Sequence, residues 1–426
     1  EVEADILNGL PTMVIVGLPD TAIQESRERI RAALKNSGMS LPVGRLSVNL
    51  APADFPKVGT HYDLPIAVGL LVASGQITLR ETNCFYLGEL SLDGRLKPVS
   101  AVLPLILKAK QLGITKIFLP KDNCQEAALV VGLDLYPLEN LVDYIDHCLG
   151  LKVIEPTRSG TKRLSSVFQP VVDFLDIKGH VLAKQALMVA AAGNHNILMS
   201  GPPGSGKTML AQAVAGILPE LSTEEMVELT AIYSISGENF GSVISQRPVR
   251  TPHHSSSMAA LVGGGTLPKP GEISLSHKGI LFLDELPEFS RLALESLRQP
   301  LENGLVTISR ARLSAVFPAQ FLLIAAMNPC PCGLAYGQSG RCICSPVVLK
   351  NYKNKISGPL LDRIDIQITV PNLSYKELSG EVNNKGNLPS QQIKQRVSNA
   401  RQLQSMRLGK GRTNNQMTSA EVEKYC

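Results

Sequence analysis

A glycine-rich segment that ends in lysine and threonine is the strongest chemical pattern in this sequence. It fits G-x-x-x-x-G-K-[ST] with Gly201, Pro202, Pro203, Gly204, Ser205, Gly206, Lys207 and Thr208. Glycines let successive backbone N–H groups turn inward around phosphate, and the start of a helix adds favourable dipole charge. A glycine-rich turn could also match, but this segment lies between a strand-like NILMS and a helix-like MLAQAVAGIL. The pattern therefore predicts an ATP site, with Lys207 at the β- and γ-phosphates and Thr208 at Mg²⁺.

An apolar run that ends in two acids supplies a second pattern. The run Ile-Leu-Phe-Leu at 280–283 is followed by Asp284 and Glu285. A buried strand ending in Asp places a carboxylate beside Mg²⁺, and the next Glu can polarise the attacking water. Many buried strands end in acids, so the run alone is weak. Together with the glycine-rich segment it predicts ATP hydrolysis.

Two further polar residues follow apolar segments. Asn328 ends the run FLLIAAM, and a strand between the other two would bring its amide close enough to orient the water. The alternative is a turn residue at a strand end. Arg363 stands between Asp362 and Asp365; it either reaches the ATP of a neighbouring subunit or forms a local ion-pair cluster with those acids.

Four of the eight cysteines are grouped, whereas Cys84, Cys124, Cys148 and Cys426 are scattered. The group is two C-x-C pairs with nine residues between them, Cys330 with Cys332 and Cys342 with Cys344. Four thiols at this spacing fit a tetrahedral structural Zn²⁺ site. Redox-active or merely buried thiols are the alternatives. The adjacent His253 and His254, with Arg250, line either an intersubunit or DNA surface or an ordinary loop.

The elements that position these residues form α/β patterns. Residues 1–150 alternate strand-like and helical segments and predict a compact α/β domain, followed by a linker at 151–172 rich in Pro, Ser, Thr and Gly. Residues 173–371 alternate helices with fully apolar strands, which predicts a parallel sheet covered on both faces. Residues 372–426 are polar and helical and stop without a helix end signal, so we expect an incomplete helical lid.

Composition limits the possible classes of protein. In the 426 residues, 44% hydrophobic and 19% charged residues indicate a globular protein. With 4% aromatics and no Trp, a base-stacking platform is not expected. A net charge of +5 permits nucleic-acid contact without requiring it. The sequence has no apolar run of the ~18–20 residues that span a bilayer, no secretory signal and clustered thiols, which predicts a cytoplasmic protein away from membranes.

The motifs GPPGSGKTMLA, ILFLDELPEF, AAMNPCPCG and SGPLLDRIDI resemble the magnesium-chelatase-like AAA+ proteins. The segments VGLPDTAIQESRERIRAALKNSG and RTPHHSSSMAALVGGG extend the resemblance to the ComM/YifB family over nearly the whole chain. The resemblance implies that Arg363 is a trans-acting arginine finger and that the chain forms a ring, as a hexamer. It further implies a DNA motor, a branch-migration helicase acting in natural transformation. The alternative is a protein-remodelling ATPase akin to the magnesium chelatase ATPase subunit.

Relatives of this group carry a β-hairpin before the Asn-bearing strand, with basic residues at its tip. Residues 305–309 and 313–317 resemble its two strands and flank Arg310 and Arg312. Two arginines at a hairpin tip could bind DNA phosphates without reading sequence. A solvated turn is the alternative.

The first 150 residues resemble the Lon protease-type domain, an S5-type α/β domain, through FPKVG and LGELSLDGRLKPVSAVLPLILKAKQLG. The positions that match the Ser–Lys dyad of active members hold His61 and Leu103. We therefore expect this domain not to cleave peptides.

Overall fold

The computed structural model describes residues 1–158, 172–238, 241–310, 314–334, 342–374 and 388–426. Within these ranges, no helix is both long and apolar enough to cross a bilayer. The chain divides into two compact units. The first comprises Glu1–Leu164 and Met226–Ile244, and the second Ser165–Glu225 and Ser245–Cys426.

Strands and helices alternate through the described residues up to 158. In chain order they are β1 (Val2–Leu7), β2 (Thr12–Val16), α1 (Thr21–Asn36), β3 (Arg45–Leu50), α2 (Asp63–Ala73), β4 (Cys84–Tyr86), β5 (Glu89–Leu90), β6 (Leu96–Lys97), α3 (Val102–Gln111), β7 (Lys116–Pro120), α4 (Cys124–Ala127), β8 (Asp134–Leu138), α5 (Leu141–Leu149) and β9 (Thr157–Arg158).

The remaining elements mix helices and strands up to β18 and end with two helices. They are α6 (Val181–Gly193), β10 (Ile197–Ser200), α7 (Lys207–Ala213), α8 (Thr223–Ser236), β11 (Val249–Arg250), α9 (Met258–Val262), β12 (Gly263–Gly264), β13 (Lys269–Pro270), α10 (Glu272–Leu275), β14 (Ile280–Leu283), α11 (Arg291–Ser296), α12 (Arg298–Asn303), β15 (Leu305–Ser309), β16 (Ser314–Pro318), β17 (Leu322–Met327), α13 (Pro346–Lys353), α14 (Gly358–Leu361), β18 (Ile366–Thr369), α15 (Ser390–Leu408) and α16 (Ser419–Tyr425).

The first unit contains two small sheets and a short hairpin. One sheet has the order β1-β3-β2, the other β4-β7-β8-β9, and β5 pairs with β6. Helix α1 begins where the Asp20 carboxylate accepts the backbone N–H of Ile23 at 2.9 Å. Its apolar residues recur at helical spacing, and Ile23, Ile30 and Leu34 are fully buried. Strand β9 pairs with β8, so residues 157–158, which the sequence assigns to the linker, belong to this unit's sheet.

Helix α8 also packs into the first unit, although the sequence places it in the domain at 173–371. Val227 and Ala231 lie against an apolar cluster that contains Leu103, Ile106 and Leu119. The Ser234 carbonyl accepts the backbone N–H of Ala101 at 3.0 Å. Apolar burial and this hydrogen bond hold the helix with the first unit. The sequence pattern of a helix does not state which core it will cover.

The second unit is built on a five-stranded parallel sheet in the order β11-β14-β17-β10-β18. All residues of β14 and β17 are buried, as expected for strands covered on both faces. The core contains Phe282 from β14, Ile324 from β17 and Leu187 from α6. The predicted parallel α/β fold is confirmed.

Helix α15 covers part of this core. Ile393 and Val397, one turn apart, are buried in the same cluster as Leu187. The backbone N–H of Ser390 donates to the Asp173 carboxylate at 3.0 Å, which ties the helix start to the beginning of the unit. The role of residues 372–426 as a lid stays a prediction, and residues 375–387 lie outside the described part of the chain.

Candidate nucleotide-binding site

The glycine-rich segment forms the loop between β10 and α7, hereafter the P-loop (Gly201–Thr208). Gly204 and Gly206 have φ angles of 76° and 81°, which only glycine adopts without steric cost. At Gly201 a Cβ would stand 2.2 Å from the carbonyl oxygen of Val370. These positions require glycine because the loop turns tightly and touches the backbone beyond β18.

Lys207 lies inside the P-loop with its side chain 8% exposed. Its Nζ donates to the carbonyl oxygens of Gly201 at 2.7 Å and Pro202 at 2.9 Å. Burial lowers the pKa of Lys207, and the charges of Asp284 and Glu285 oppose that shift. An ammonium group held by neutral carbonyls is well suited to exchange them for phosphate oxygens.

The strand order brings the other predicted residues to the P-loop. Strand β17 lies between β14 and β10, so Asn328 emerges between Asp284 and the P-loop, as expected from the sequence. Its Oδ1 is 3.5 Å from Lys207 Nζ. Thr208 Oγ1 donates to Asp284 Oδ2 at 2.9 Å. This pair of oxygens fits Mg²⁺, which prefers hydroxyl and carboxylate ligands and phosphate oxygens of the substrate.

Glu285 has an unusual backbone, with φ 51° and ψ 45°. Non-glycine residues in this left-handed region cluster at functional sites. Its side chain is 53% exposed, and Oε2 lies 3.4 Å from Nδ1 of His254. The carboxylate therefore faces a pocket of about 350 Å³ that is lined by Thr208, Gln212, Thr251, Pro252, His253, His254, Phe282, Asp284 and Glu285.

The two histidines are residues that the sequence did not assign to this pocket. They follow β11, which is paired with β14, so the chain after β11 arrives beside Glu285. His253 Nδ1 hydrogen-bonds Ser255 Oγ at 2.8 Å. Arg250 forms a two-pronged ion pair with Glu272 at 2.6 and 2.7 Å. The sequence shows only two adjacent histidines shortly after Arg250. That pattern does not indicate that they line the pocket of Glu285.

Arg363 forms its ion pair with an acid other than the two that flank it in the sequence. Its guanidinium pairs with the carboxylate of Glu302 on α12. Asp365 instead accepts the backbone N–H of Asn196 at 3.0 Å and lies 3.4 Å from His195. The local cluster considered from the sequence is therefore replaced by a pair with Glu302. Arg363 is 39% exposed and its role in a neighbouring site stays a prediction.

The predicted hairpin forms from β15 and β16, paired antiparallel from Leu305 with Pro318 to Ser309 with Ser314. Its second strand is described over Ser314–Pro318, and residue 313, with which the predicted strand begins, lies outside the described residues. Arg310 at the tip is exposed, and its Nη2 would be 3.0 Å from a Cβ built on Gly264. Arg312 lies outside the described residues. Arg310 is thus next to the paired strands β12 and β13.

The four grouped cysteines converge into one cluster, hereafter the cysteine cluster (Cys330, Cys332, Cys342 and Cys344). All four Sγ atoms lie within 4.8 Å of one another. The Cys330–Cys332, Cys330–Cys342 and Cys332–Cys342 sulfur distances are 3.3, 3.8 and 3.7 Å. Hydrogen bonds from the Leu334 backbone and from Cys330 lower the pKa of Cys332 to about 6. The four thiols are free and close together, an arrangement that metal-binding thiolates share.

In the first unit, the positions that match the Ser–Lys dyad of active Lon-type domains are His61 and Leu103. Leu103 is fully buried in the apolar core. The His61 ring lies 4.4 Å from that of Tyr62. Burial lowers the pKa of His61 to about 4, against the charge of Asp20. That this unit does not cleave peptides stays a prediction.

The chain is similar in sequence to several known proteins. The family described as "Magnesium chelatase, subunit ChlI" matches residues 173–378, and "Subunit ChlI of Mg-chelatase" matches residues 2–123. The chain is 44% identical to the competence protein ComM of Haemophilus influenzae over 432 residues, which cover 100% of this chain and 83% of that protein. It is 42% identical to the uncharacterized protein YifB of Escherichia coli over 435 residues, 100% of this chain and 82% of that protein.

A more distant relative is the magnesium-chelatase 67 kDa subunit of Chlorobaculum parvum. It is 31% identical over 163 residues, 37% of this chain and 24% of that protein. A phosphate-binding loop, an acidic strand end and an intervening Asn-bearing strand are the parts that an AAA+ ATPase needs. With these matches over its full length, the chain belongs to the ComM/YifB family of magnesium-chelatase-like AAA+ ATPases.

Proposed function

We propose that this ATPase is a ring-forming motor that acts on DNA and hydrolyses ATP at the P-loop. The nucleotide site is supported chiefly by the contact between Thr208 and Asp284. In this proposal Lys207 binds the β- and γ-phosphates, while Thr208 and Asp284 hold Mg²⁺, which neutralises phosphate charge when bound. Glu285 accepts the proton of the attacking water, and Asn328 orients that water.

The nucleotide site is tested by two substitutions in the full chain. Lys207→Ala should weaken ATP binding, because the buried ammonium is lost from the loop. Glu285→Gln should leave ATP binding intact and lower kcat by at least ~100-fold, the usual size of a general-base effect. ATP affinity from calorimetry and phosphate release from a coupled assay measure the two quantities. Unchanged affinity in the first variant or unchanged turnover in the second would reject the site.

DNA as the partner is supported by Arg310 at the exposed hairpin tip. A guanidinium there can bind phosphates of any sequence. The relative named as a competence protein suggests the biological setting, branch migration during uptake and recombination of DNA. A partner protein, as for a chelatase subunit, is the competing outcome of the test.

ATP turnover with and without single-stranded or branched DNA distinguishes these partners. We expect stimulation by DNA that Arg310→Ala reduces, with an affinity that falls as salt rises. Arg291→Ala, at another exposed arginine, is the matched control and should leave the stimulation intact. DNA that neither binds nor stimulates would remove the motor from the proposal and favour a protein substrate.

A ring is supported by the exposed Arg363, whose charge is held by Glu302 rather than by the P-loop. In an assembled ring it would stabilise the transition state at a neighbouring subunit, an effect worth ~10³-fold or more in turnover. Arg363→Ala should keep ATP affinity and lose turnover. Light scattering with ATP should give a hexameric mass. A monomer with full activity would contradict the ring.

A structural Zn²⁺ in the cysteine cluster completes the proposal. A tetrahedral site with Zn–S bonds of ~2.3 Å has sulfur–sulfur edges of ~3.8 Å, close to the 3.7 and 3.8 Å found for two of the pairs. A disulfide would require ~2.05 Å. One equivalent of zinc per chain by elemental analysis, lost in Cys332→Ser, is expected.

A further inference from the structure

The turn that follows the first cysteine pair touches the P-loop directly. Gly333 has φ 81°, and a Cβ built on it would lie 2.6 Å from Cδ and 2.9 Å from Cγ of Pro203. The backbone N–H of Gly333 donates to the Cys330 carbonyl at 2.9 Å. The same short turn therefore carries two cluster thiols and packs against the P-loop with no room for a methyl group.

A second connection passes through Asn328. This residue precedes Cys330 by one proline and approaches Lys207 through its amide oxygen. Helix α13 begins just after Cys344, where the Ser345 hydroxyl accepts the backbone N–H of Val348. Tyr352 on that helix is 5% exposed. Burial and the charge of Glu288 raise the pKa of its hydroxyl, and an interaction with the Asn328 backbone opposes that shift. Both ends of the cysteine-bearing segment thus return to the strand end that faces the nucleotide.

We infer that metal occupancy of the cysteine cluster controls how tightly the P-loop binds ATP. This inference rests on the proposed nucleotide and zinc sites. A bound Zn²⁺ joins Cys330 and Cys332 to Cys342 and Cys344 and so holds the Gly333 turn against Pro203. Without the metal, the turn is no longer fixed, and the P-loop must be ordered when ATP binds. Linkage requires the reciprocal effect, in which ATP strengthens metal binding by the same factor.

Cys344→Ser tests whether loss of the metal weakens ATP binding. This thiol is suitable because it lies next to α13 and is far along the chain from the P-loop, so the substitution does not alter the loop itself. Zinc content and ATP affinity are measured on the same full-length preparation. We expect loss of zinc and a rise of about tenfold in the Kd for ATP, a typical size for coupling between two sites. Cys426→Ser, at an exposed thiol outside the cluster, should retain both zinc and ATP affinity.

Gly333→Ala tests the contact while it spares all four thiols. We expect one zinc per chain and an ATP Kd several-fold above wild type, because the new methyl displaces Pro203 and strains the backbone at φ 81°. In a Pro203→Ala background the same substitution should cost less, since the atoms that it meets are gone. Zinc affinity of the wild type with and without ATP gives the reciprocal coupling and requires no substitution.

The outcomes separate the inference from the proposed function. Wild-type protein that binds ATP equally with zinc and after its removal by a chelator would overturn the inference and leave the nucleotide site standing. Gly333→Ala with normal zinc and normal ATP affinity would also overturn it. Protein that holds zinc and binds no ATP would reject the proposed nucleotide site itself, and the inference with it.

Discussion

Glu285 contacts His254, and both residues line the same pocket. At the scale of single residues, its exposed carboxylate has His254 at 3.4 Å and a left-handed backbone. A carboxylate that must act on one water molecule gains from a fixed orientation. We therefore expect His254 to position Glu285.

His254→Ala should lower kcat about fivefold and leave the KM for ATP unchanged. Loss of one polar contact costs about 1 kcal/mol, which corresponds to that factor in rate. Steady-state kinetics measure both quantities. His253→Ala is the control, because His253 hydrogen-bonds Ser255. Equal losses in the two variants would indicate a general disturbance of the loop.

We expect the stability of the first unit to depend on pH through His61. Burial lowers its pKa to about 4, below the ~6.5 of an unfolded histidine. Between these values the unfolded chain binds more protons than the folded one, so stability rises with pH through this window and falls as pH drops from ~6.5 towards 4.

Hydrogen exchange of peptides from the first unit, followed between pH 4.5 and 7 with rates corrected for intrinsic exchange, measures this dependence. The His61→Gln variant should lose the contribution of one proton to the pH dependence of the unfolding free energy. That contribution is at most ~1.4 kcal/mol per pH unit. An identical pH dependence in both proteins would show that His61 does not titrate in this way.

At the scale of elements, α15 is fastened to α6 by polar contacts as well as by apolar packing. Nε and Nη2 of Arg401 donate to the Ala191 carbonyl at 3.1 and 2.7 Å. Gln404 donates to the Ala192 carbonyl at 3.1 Å. These bonds satisfy carbonyls in the last turn of α6, which have no partner within their own helix.

Arg401→Ala should destabilise the second unit by about 2 kcal/mol, the value of a hydrogen bond to a charged group together with the unpaired carbonyl. Thermal unfolding followed by circular dichroism measures it. Arg396→Ala removes an exposed arginine of the same helix and should change stability by less than ~0.5 kcal/mol. Similar losses of stability in both variants would mean that the positive charge of α15 stabilises the unit and that the hydrogen bonds of Arg401 to Ala191 do not.

At the scale of the whole molecule, the first unit is built from two segments that are not consecutive in the sequence. Residues Met226–Ile244 lie between the P-loop and Asp284 in the chain but belong to the first unit. Substitutions there should therefore act on the first unit. The second unit contains the complete set of strand ends around the nucleotide pocket.

Val227→Asp should destabilise the first unit by about 2 kcal/mol, because a carboxylate would face the apolar cluster at Leu103 and Ile106. ATP affinity should be retained. Hydrogen exchange resolved by peptide measures each unit separately. Thr223→Asp adds the same charge at the exposed start of the same helix, where it is favourable, and should be neutral. Faster exchange in the second unit alone would contradict this assignment.

The sequence by itself determined the parallel α/β fold and the identity of the residues at the strand ends. Local patterns suffice for this, because an apolar run predicts a buried strand and the P-loop requires its glycines at fixed positions. The sequence also led us to expect that the strand before Asn328 lies between the P-loop strand and the strand before Asp284, and the sheet has this order. The grouped cysteines were recognised from spacing alone.

Only the tertiary structure decided which distant residues meet. His254 reaches Glu285 because β11 pairs with β14, and Arg363 meets Glu302 instead of its own neighbours. Helix α8 joins the first unit, and Gly333 packs on Pro203. These contacts depend on packing between segments far apart in the chain, and such packing is set by shape and burial rather than by local residue patterns.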